Sequence, residues 1–198
     1  MNYPPSSPES ETLTRTQVLV AMIVTALLLL VVAKLWQFLG QVPLLSAKFT
    51  PMAFLWGCGL MLGITGASTL IHRLWPAYRR SADLYLDLVI RPLDWPDLIW
   101  LGLLPGLSEE LLFRGVMLPA LGFSWGAIAL SSLLFGVLHL SSLNQWPYMV
   151  WATFVGMILG VGAIVTGNLI VPVIAHILTN VVSGCLWKWH HQRTPSES

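Results

Sequence analysis

Charge is scarce in this sequence. Asp, Glu, Lys and Arg make up 10% of its 198 residues, against roughly 25% in an ordinary soluble domain, while 56% are hydrophobic and the mean hydropathy is +0.73. A water-soluble globular domain is excluded. Ten basic residues against nine acidic ones leave a formal net charge of +1, so no field exists to draw in nucleic acid. Cysteine is almost absent. Cys58 and Cys185 lack the paired Cys/His spacing of a zinc site or disulfide framework, and both are expected in buried packing.

What is present is a series of apolar runs. Val18 to Leu39 is long enough to cross the ~30 Å hydrocarbon core at ~1.5 Å per residue and lacks a small-x-small cleavage site, so it is expected to stay as an anchor. Further runs cover Pro51 to about Leu70, Asp97 to Leu121, Ser124 to about Leu140, Pro147 to Thr166, and Asn168 to about Trp187. The fold class is therefore an all-α polytopic helical bundle of about six spans in a lipid bilayer. Gly59 and Gly63, and again Gly156 and Gly160, stand in the small-xxx-small spacing that lets helices approach closely. Residues 1–14 read as a disordered tail, 15–95 as two spans and a connecting segment, 96–187 as a functional core, and 188–198 as a polar tail.

Between Pro76 and Trp95 the composition changes. Arg79, Arg80, Asp83, Asp87, Arg91 and Asp94 punctuate Leu84, Tyr85, Leu88 and Val89, whose helical spacing predicts an amphipathic helix lying on the membrane surface. It serves as a link between spans or as a lip that guides a substrate. Nine of the ten tryptophans fall near proposed span ends, where the headgroup level suits amphipathic rings. With the N-terminus in the cytoplasm, Arg15, Arg73, Arg79, Arg80, Arg91, Lys188 and Arg193 lie inside and only Lys34 and Lys48 outside. Basic residues favour the cytoplasmic side, which predicts that both termini are cytoplasmic.

Three charges break the third run. In Ser108-Glu109-Glu110-Leu111-Leu112-Phe113-Arg114 they sit where one ionised side chain costs roughly 2.5–3.5 kcal/mol at the centre of a span, and such residues are usually paired, inward-facing and functional. Glu110 and Arg114, four apart, share a helix face and can pair. Glu109 points about 100° away on a helix of 3.6 residues per turn. It is left free to face a polar cavity, where desolvation would raise its pKa towards that of a general base. Alternatively, all three charges form a packing network without catalysis.

Two later runs each carry a histidine. His139 follows Phe135 by four, and Asn180 follows His176 by four, placing each pair on one helix face. A glutamate and a histidine can deprotonate water while a second histidine and an amide donate to the oxyanion formed at a carbonyl. The same groups could instead hold zinc through Glu109, His139 and His176, although no His-Glu-x-x-His is present. A non-enzymatic reading, an ion path in a transporter or an inactive scaffold, would also use such charges. Against a transporter, no interrupted helices recur in two halves. His72, His190 and His191 lie at run ends or in the tail and are read as interfacial.

Together, Glu-Glu-x-x-x-Arg, Phe-x-x-x-His and His-x-x-x-Asn in this order resemble the signatures of the CAAX protease and bacteriocin-processing family, also called Abi, of intramembrane proteases. The resemblance covers about Asp94 to Trp187. It implies that Glu109 is the catalytic base assisted by His139, that His176 and Asn180 stabilise the oxyanion, and that Glu110 and Arg114 support the site. It implies a membrane-associated polypeptide as substrate, and glutamate-based chemistry without a cofactor is favoured over the zinc alternative. Eukaryotic relatives that trim prenylated proteins are longer, so CAAX processing is not carried over. Compact bacterial relatives are associated with peptide maturation and self-immunity.

Overall fold

A computed structural model describes residues 13–193, with side chains through 191. Most of the expected N-terminal tail and residues 194–198 lie outside the described residues. The chain is helical, with α1 (Arg15–Gly40), α2 (Pro51–Leu74), α3 (Pro76–Ile90), α4 (Leu98–Glu110), α5 (Leu118–Leu121), α6 (Trp125–Val137), α7 (Trp146–Thr166) and α8 (Ile170–Arg193). No strand occurs among the described residues.

Among the described residues, four helices are long and apolar enough to cross a membrane: Arg15–Gly40, Pro51–Leu74, Leu143–Thr166 and Ile170–His191. The other two expected spans depart from simple helices. Residues 98–121 form a continuous helical path, but the stretch Leu111–Met117 is wound as a π-helix between α4 and α5. α6 has 13 residues, about 20 Å at 1.5 Å per residue, and stops short of a full crossing. At the far end, α8 continues through Arg193, beyond the expected stop at Trp187.

Local chemistry explains the helix ends. Thr14 accepts from the Gln17 amide while the Gln17 side chain takes the Thr14 N–H, a reciprocal cap that starts α1. Thr50 and Ser124 cap α2 and α6 one-sidedly, their hydroxyl oxygens accepting from the Ala53 and Ala127 N–H groups. Gly122 at φ +88° ends α5, a backbone region that glycine enters freely.

Small residues set which helices touch. A Cβ on Gly102 would lie 2.7 Å from the Ile177 carbonyl oxygen, and one on Gly106 would lie 2.5 Å from Ile177 Cγ1, so α4 and α8 pack almost backbone to backbone. α6 and α7 meet through Gly136 against Thr153 and through Gly156 against Ser132. The step at Gly59 and Gly63 behaves differently: a Cβ on either would meet nothing within 4 Å, and α2 approaches α8 through Gly57 instead. Cys58 and Cys185 are free and only partly buried, not enclosed as expected.

The bundle has two chemically distinct ends. At one, Arg15 donates to both Asp97 oxygens at 2.7 and 2.8 Å, joining the start of α1 to the start of α4. Ile90, Leu98 and Trp187 pack together at this end. At the other, the extended connector 41–50 is pinned to the α7–α8 turn: Lys48 N donates to Asn168 Oδ1, Asn168 Nδ2 donates to Lys48 O, and Leu169 N donates to Ser46 O.

The amphipathic helix forms as α3, with its faces rotated from the sequence expectation. Tyr78, Ser81, Ala82 and Ile90 are buried, whereas Leu84 is 62% exposed and Leu88 is also exposed. The helix is docked on the bundle through its aromatic and small residues, and its other face offers leucines to the surroundings.

Candidate active site

Glu110 and Arg114 are the most deeply enclosed charges in the bundle, at 0% and 1% exposure. Arg114 Nη1 donates to Glu110 Oε1 at 2.7 Å, and Nη2 donates to the Gly156 carbonyl at 2.9 Å. Its guanidinium carbon lies 4.5 Å from the centre of the Phe135 ring, a cation–π contact inside an apolar shell. The charge of Arg114 is thus answered from its own helix, from α6 and from α7.

Glu110 also engages α8. Its Oε1 lies 2.8 Å from His176 Nδ1. Because this carboxylate oxygen already accepts from Arg114, His176 Nδ1 carries the hydrogen and donates. The close α4–α8 packing at Gly102 and Gly106 is what brings His176 to the carboxylate.

Glu109 has different surroundings. Its Oε2 is buried without a hydrogen-bond partner and stands 4.0 Å from His139 Nε2. That distance is beyond a direct bond. His139 Nδ1 donates to the Phe135 carbonyl at 2.9 Å, so in its neutral form the ring presents the Nε2 lone pair towards Glu109. A carboxylate oxygen and an imidazole nitrogen, both acceptors, therefore face one another across a gap of 4.0 Å.

His139 does not lie on the helix that its spacing suggested. α6 ends at Val137, and His139 occupies the following turn, its N–H bonded to the Gly136 carbonyl at 2.9 Å. The side chain is still turned back onto Phe135, with ring centres 4.7 Å apart. Both members of the motif share a face through this backbone bond rather than through a continuing helix.

Asn180 lies one turn beyond His176 on α8, and its Nδ2 donates to the Leu101 carbonyl at 3.4 Å. Pro105 lies inside α4 and has no N–H to offer the residue four before it, which leaves the Leu101 carbonyl to this side chain. The structure therefore joins Glu110, Arg114 and His176 by direct bonds, sets His139 beside Glu109, and turns Asn180 towards α4. The expected interfacial histidines stand apart from this set: His72 pairs with Asp83 at 2.8 Å, and His191 Nδ1 donates to Trp187 O at 2.9 Å.

Two tyrosines reach the site that the motifs do not contain. Tyr85 of α3 and Tyr148 of α7 stack with centres 4.4 Å apart, at 6.5 and 6.3 Å from the His139 ring. Burial, with Glu109's charge adding to it, pushes the Tyr85 hydroxyl up to about 12. Tyr85 was legible only as one apolar position of an amphipathic helix, and nothing local marks Tyr148.

As for metal, no three His, Cys, Asp or Glu side chains are grouped to hold an ion among the described residues. Within the alternative zinc set, Glu109 and His139 are 4.0 Å apart while His176 Nδ1 is engaged by Glu110.

An all-helical membrane protein with a carboxylate, a histidine and a fully enclosed ion pair in its interior is an integral membrane protein built around a polar site. Residues 91–182, which contain all three motifs, match the family described as Type II CAAX prenyl endopeptidase Rce1-like. It is also similar to the uncharacterized protein YpbD of Bacillus subtilis (strain 168), with 38% identity over 98 residues that cover 50% of this chain and 49% of the relative. The chain thus spans about half the length of this curated relative. No solved structure matches it.

Proposed function

We propose that the protein is an intramembrane endopeptidase that hydrolyses a membrane-associated polypeptide with a water activated by Glu109 and His139. The observation that carries this reading is the 4.0 Å gap between two acceptors, one of them a buried carboxylate oxygen with no partner. A water donating one hydrogen to Glu109 Oε2 and the other to His139 Nε2 would direct its oxygen lone pair outward, ready to attack a carbonyl carbon. The water O–C bond forms as Glu109 takes a proton. The C–N bond then breaks as that proton passes, with His139's help, to the leaving amine.

His176 and Asn180 are assigned to the oxyanion. With Nδ1–H given to Glu110, His176 donates through Nε2 only when the ring carries its second proton. Asn180 has one amide hydrogen on the Leu101 carbonyl and a second left to give. Glu110 and Arg114 position this set.

The sidedness of the bundle supports cytoplasmic termini. Arg15 stands at the Asp97 end, where Lys188 also acts on Asp97. Lys48 lies at the Asn168 end. The richer basic end is assigned to the cytoplasm.

The test is cleavage of a panel of membrane-peptide reporters by purified protein in liposomes, for wild type and Glu109→Gln, with and without a strong chelator. Cleavage lost in the variant and kept with chelator is the expected result. Cleavage lost with chelator and restored by zinc would replace the metal-free mechanism.

A further inference from the structure

Resting on the hydrolytic reading of the Glu109–His139 pair, we propose that Tyr85 is a positioning residue. Surface helix α3 forms a wall of the site, and the Tyr85–Tyr148 stack holds the His139 ring so that Nε2 stays on Glu109. The need arises from where α6 ends. His139 sits in the turn after Val137, beyond the regular helix, and a side chain there lacks the restraint that a preceding helical turn supplies. One bond, from Nδ1 to the Phe135 carbonyl, fixes a single point of the ring. Rotation about that point would carry Nε2 away from Glu109 without breaking the bond.

Aromatic rings hem the imidazole in. Phe135 lies 4.7 Å from it, centre to centre, and Tyr85 and Tyr148 stand at 6.5 and 6.3 Å. The tyrosine pair is itself the end of a column. Tyr78 lies nearly parallel to Tyr148 at 6.5 Å, stacks on Trp75 at 6.2 Å, and shares a 3.0 Å hydrogen bond with Ser68 of α2. Ser81 donates to the Gln145 carbonyl at 3.3 Å, fastening α3 to the segment just before α7. α3 is therefore anchored at two points, one and two turns before Tyr85, which fits it to deliver a ring to a fixed place rather than to drift on the surface.

The inference predicts a difference that activity alone would not reveal. Modification of each histidine by diethyl pyrocarbonate, mapped by mass spectrometry on the purified full chain, reads the shielding of His139 directly. Tyr85→Ala should raise the His139 rate about two- to tenfold, the effect of losing an aromatic pair, with the His176 rate unchanged. Tyr85→Phe should restore protection, and Leu84→Ala, on the exposed face of α3, should leave it as in wild type. No change at His139 in Tyr85→Ala, or equal exposure in Tyr85→Phe, would overturn the proposal. If the alanine variant exposes all histidines together, Tyr85→Leu decides: a rise confined to His139 supports the proposal, and its absence overturns it. In the reporter assay the alanine variant should lose kcat with KM little changed. A wild-type chain that cleaves no reporter would sink the protease reading while the shielding measurement still judged the role of Tyr85.

Discussion

Gly156 lies directly against Arg114: its carbonyl accepts from Nη2 at 2.9 Å, and a Cβ built on it would come within 3.2 Å of the same nitrogen and 3.1 Å of Ser132 Cα. The missing side chain is what lets a guanidinium enter the space between α4, α6 and α7. One glycine thus serves both the helix contact and the buried charge.

Gly156→Ala should accordingly destabilise the protein by about 1–3 kcal/mol, the usual cost of overpacking, because both neighbours are held, one by backbone and one by its ion pair. Gly59→Ala is the control. Nothing lies within 4 Å of its added methyl, and a helix gains up to ~1 kcal/mol from alanine in place of glycine. Thermal unfolding in detergent should show a lowered midpoint for the first and an equal or raised one for the second. Equal losses in both would show that Arg114 does not depend on this close approach.

The two adjacent glutamates should separate stability from activity. Glu110→Gln removes the charge opposite Arg114 and disturbs the bond to His176, and breaking a buried pair of this kind costs about 3–5 kcal/mol. Glu109→Gln removes a carboxylate whose Oε2 has no partner, so the fold should tolerate it while cleavage is abolished. Thermal midpoints and reporter cleavage measured on both variants check this. Equal stability together with equal loss of activity would contradict the separate roles.

These contrasts also show what a one-dimensional reading can reach. The Glu110–Arg114 pair was legible because a spacing of four is a local property of any helix, and a buried charge needs an opposite one nearby. The passage of α4 beside α8 was not legible as a contact. Gly102 and Gly106 resemble Gly59 and Gly63 as a spacing, and only the assembled bundle decides which glycines face a helix and which face outward. His139 kept its partner Phe135 although the helix between them ended, since a ring-to-carbonyl bond reproduced the proximity that the spacing implied. Tyr85 and Tyr148 are distant in sequence and belong to no motif, so their meeting over His139 depends wholly on how α3 docks.

Acid should weaken the junction of α1 and α4. The bonds from Arg15, chiefly, hold the Asp97 carboxyl down to about 2 from an ordinary 3.8. A carboxyl whose folded value lies below its unfolded one stabilises the fold fully above the unfolded value, and that contribution fades as pH falls towards the folded one. Between pH 3.8 and about 2, wild type should therefore lose thermal stability more steeply than Asp97→Asn. Unfolding midpoints across that window, at fixed salt, give the comparison. Parallel slopes would show that the Arg15–Asp97 contact does not contribute to stability.

Pro105 and Asn180 should be energetically coupled although they lie on different helices. Pro105 offers no N–H to the Leu101 carbonyl, and Asn180 Nδ2 reaches that oxygen at 3.4 Å from α8. In the wild-type chain, Asn180→Ala leaves this carbonyl without its side-chain donor, a loss of about 1 kcal/mol for an ordinary hydrogen bond. In a Pro105→Ala background the new backbone N–H answers the carbonyl itself, and the same substitution should cost less. A double-mutant cycle on thermal or chemical unfolding should return a coupling of about 0.5–1 kcal/mol between the two sites. Additive effects would mean that the Asn180 amide is held by something other than the carbonyl that proline leaves free.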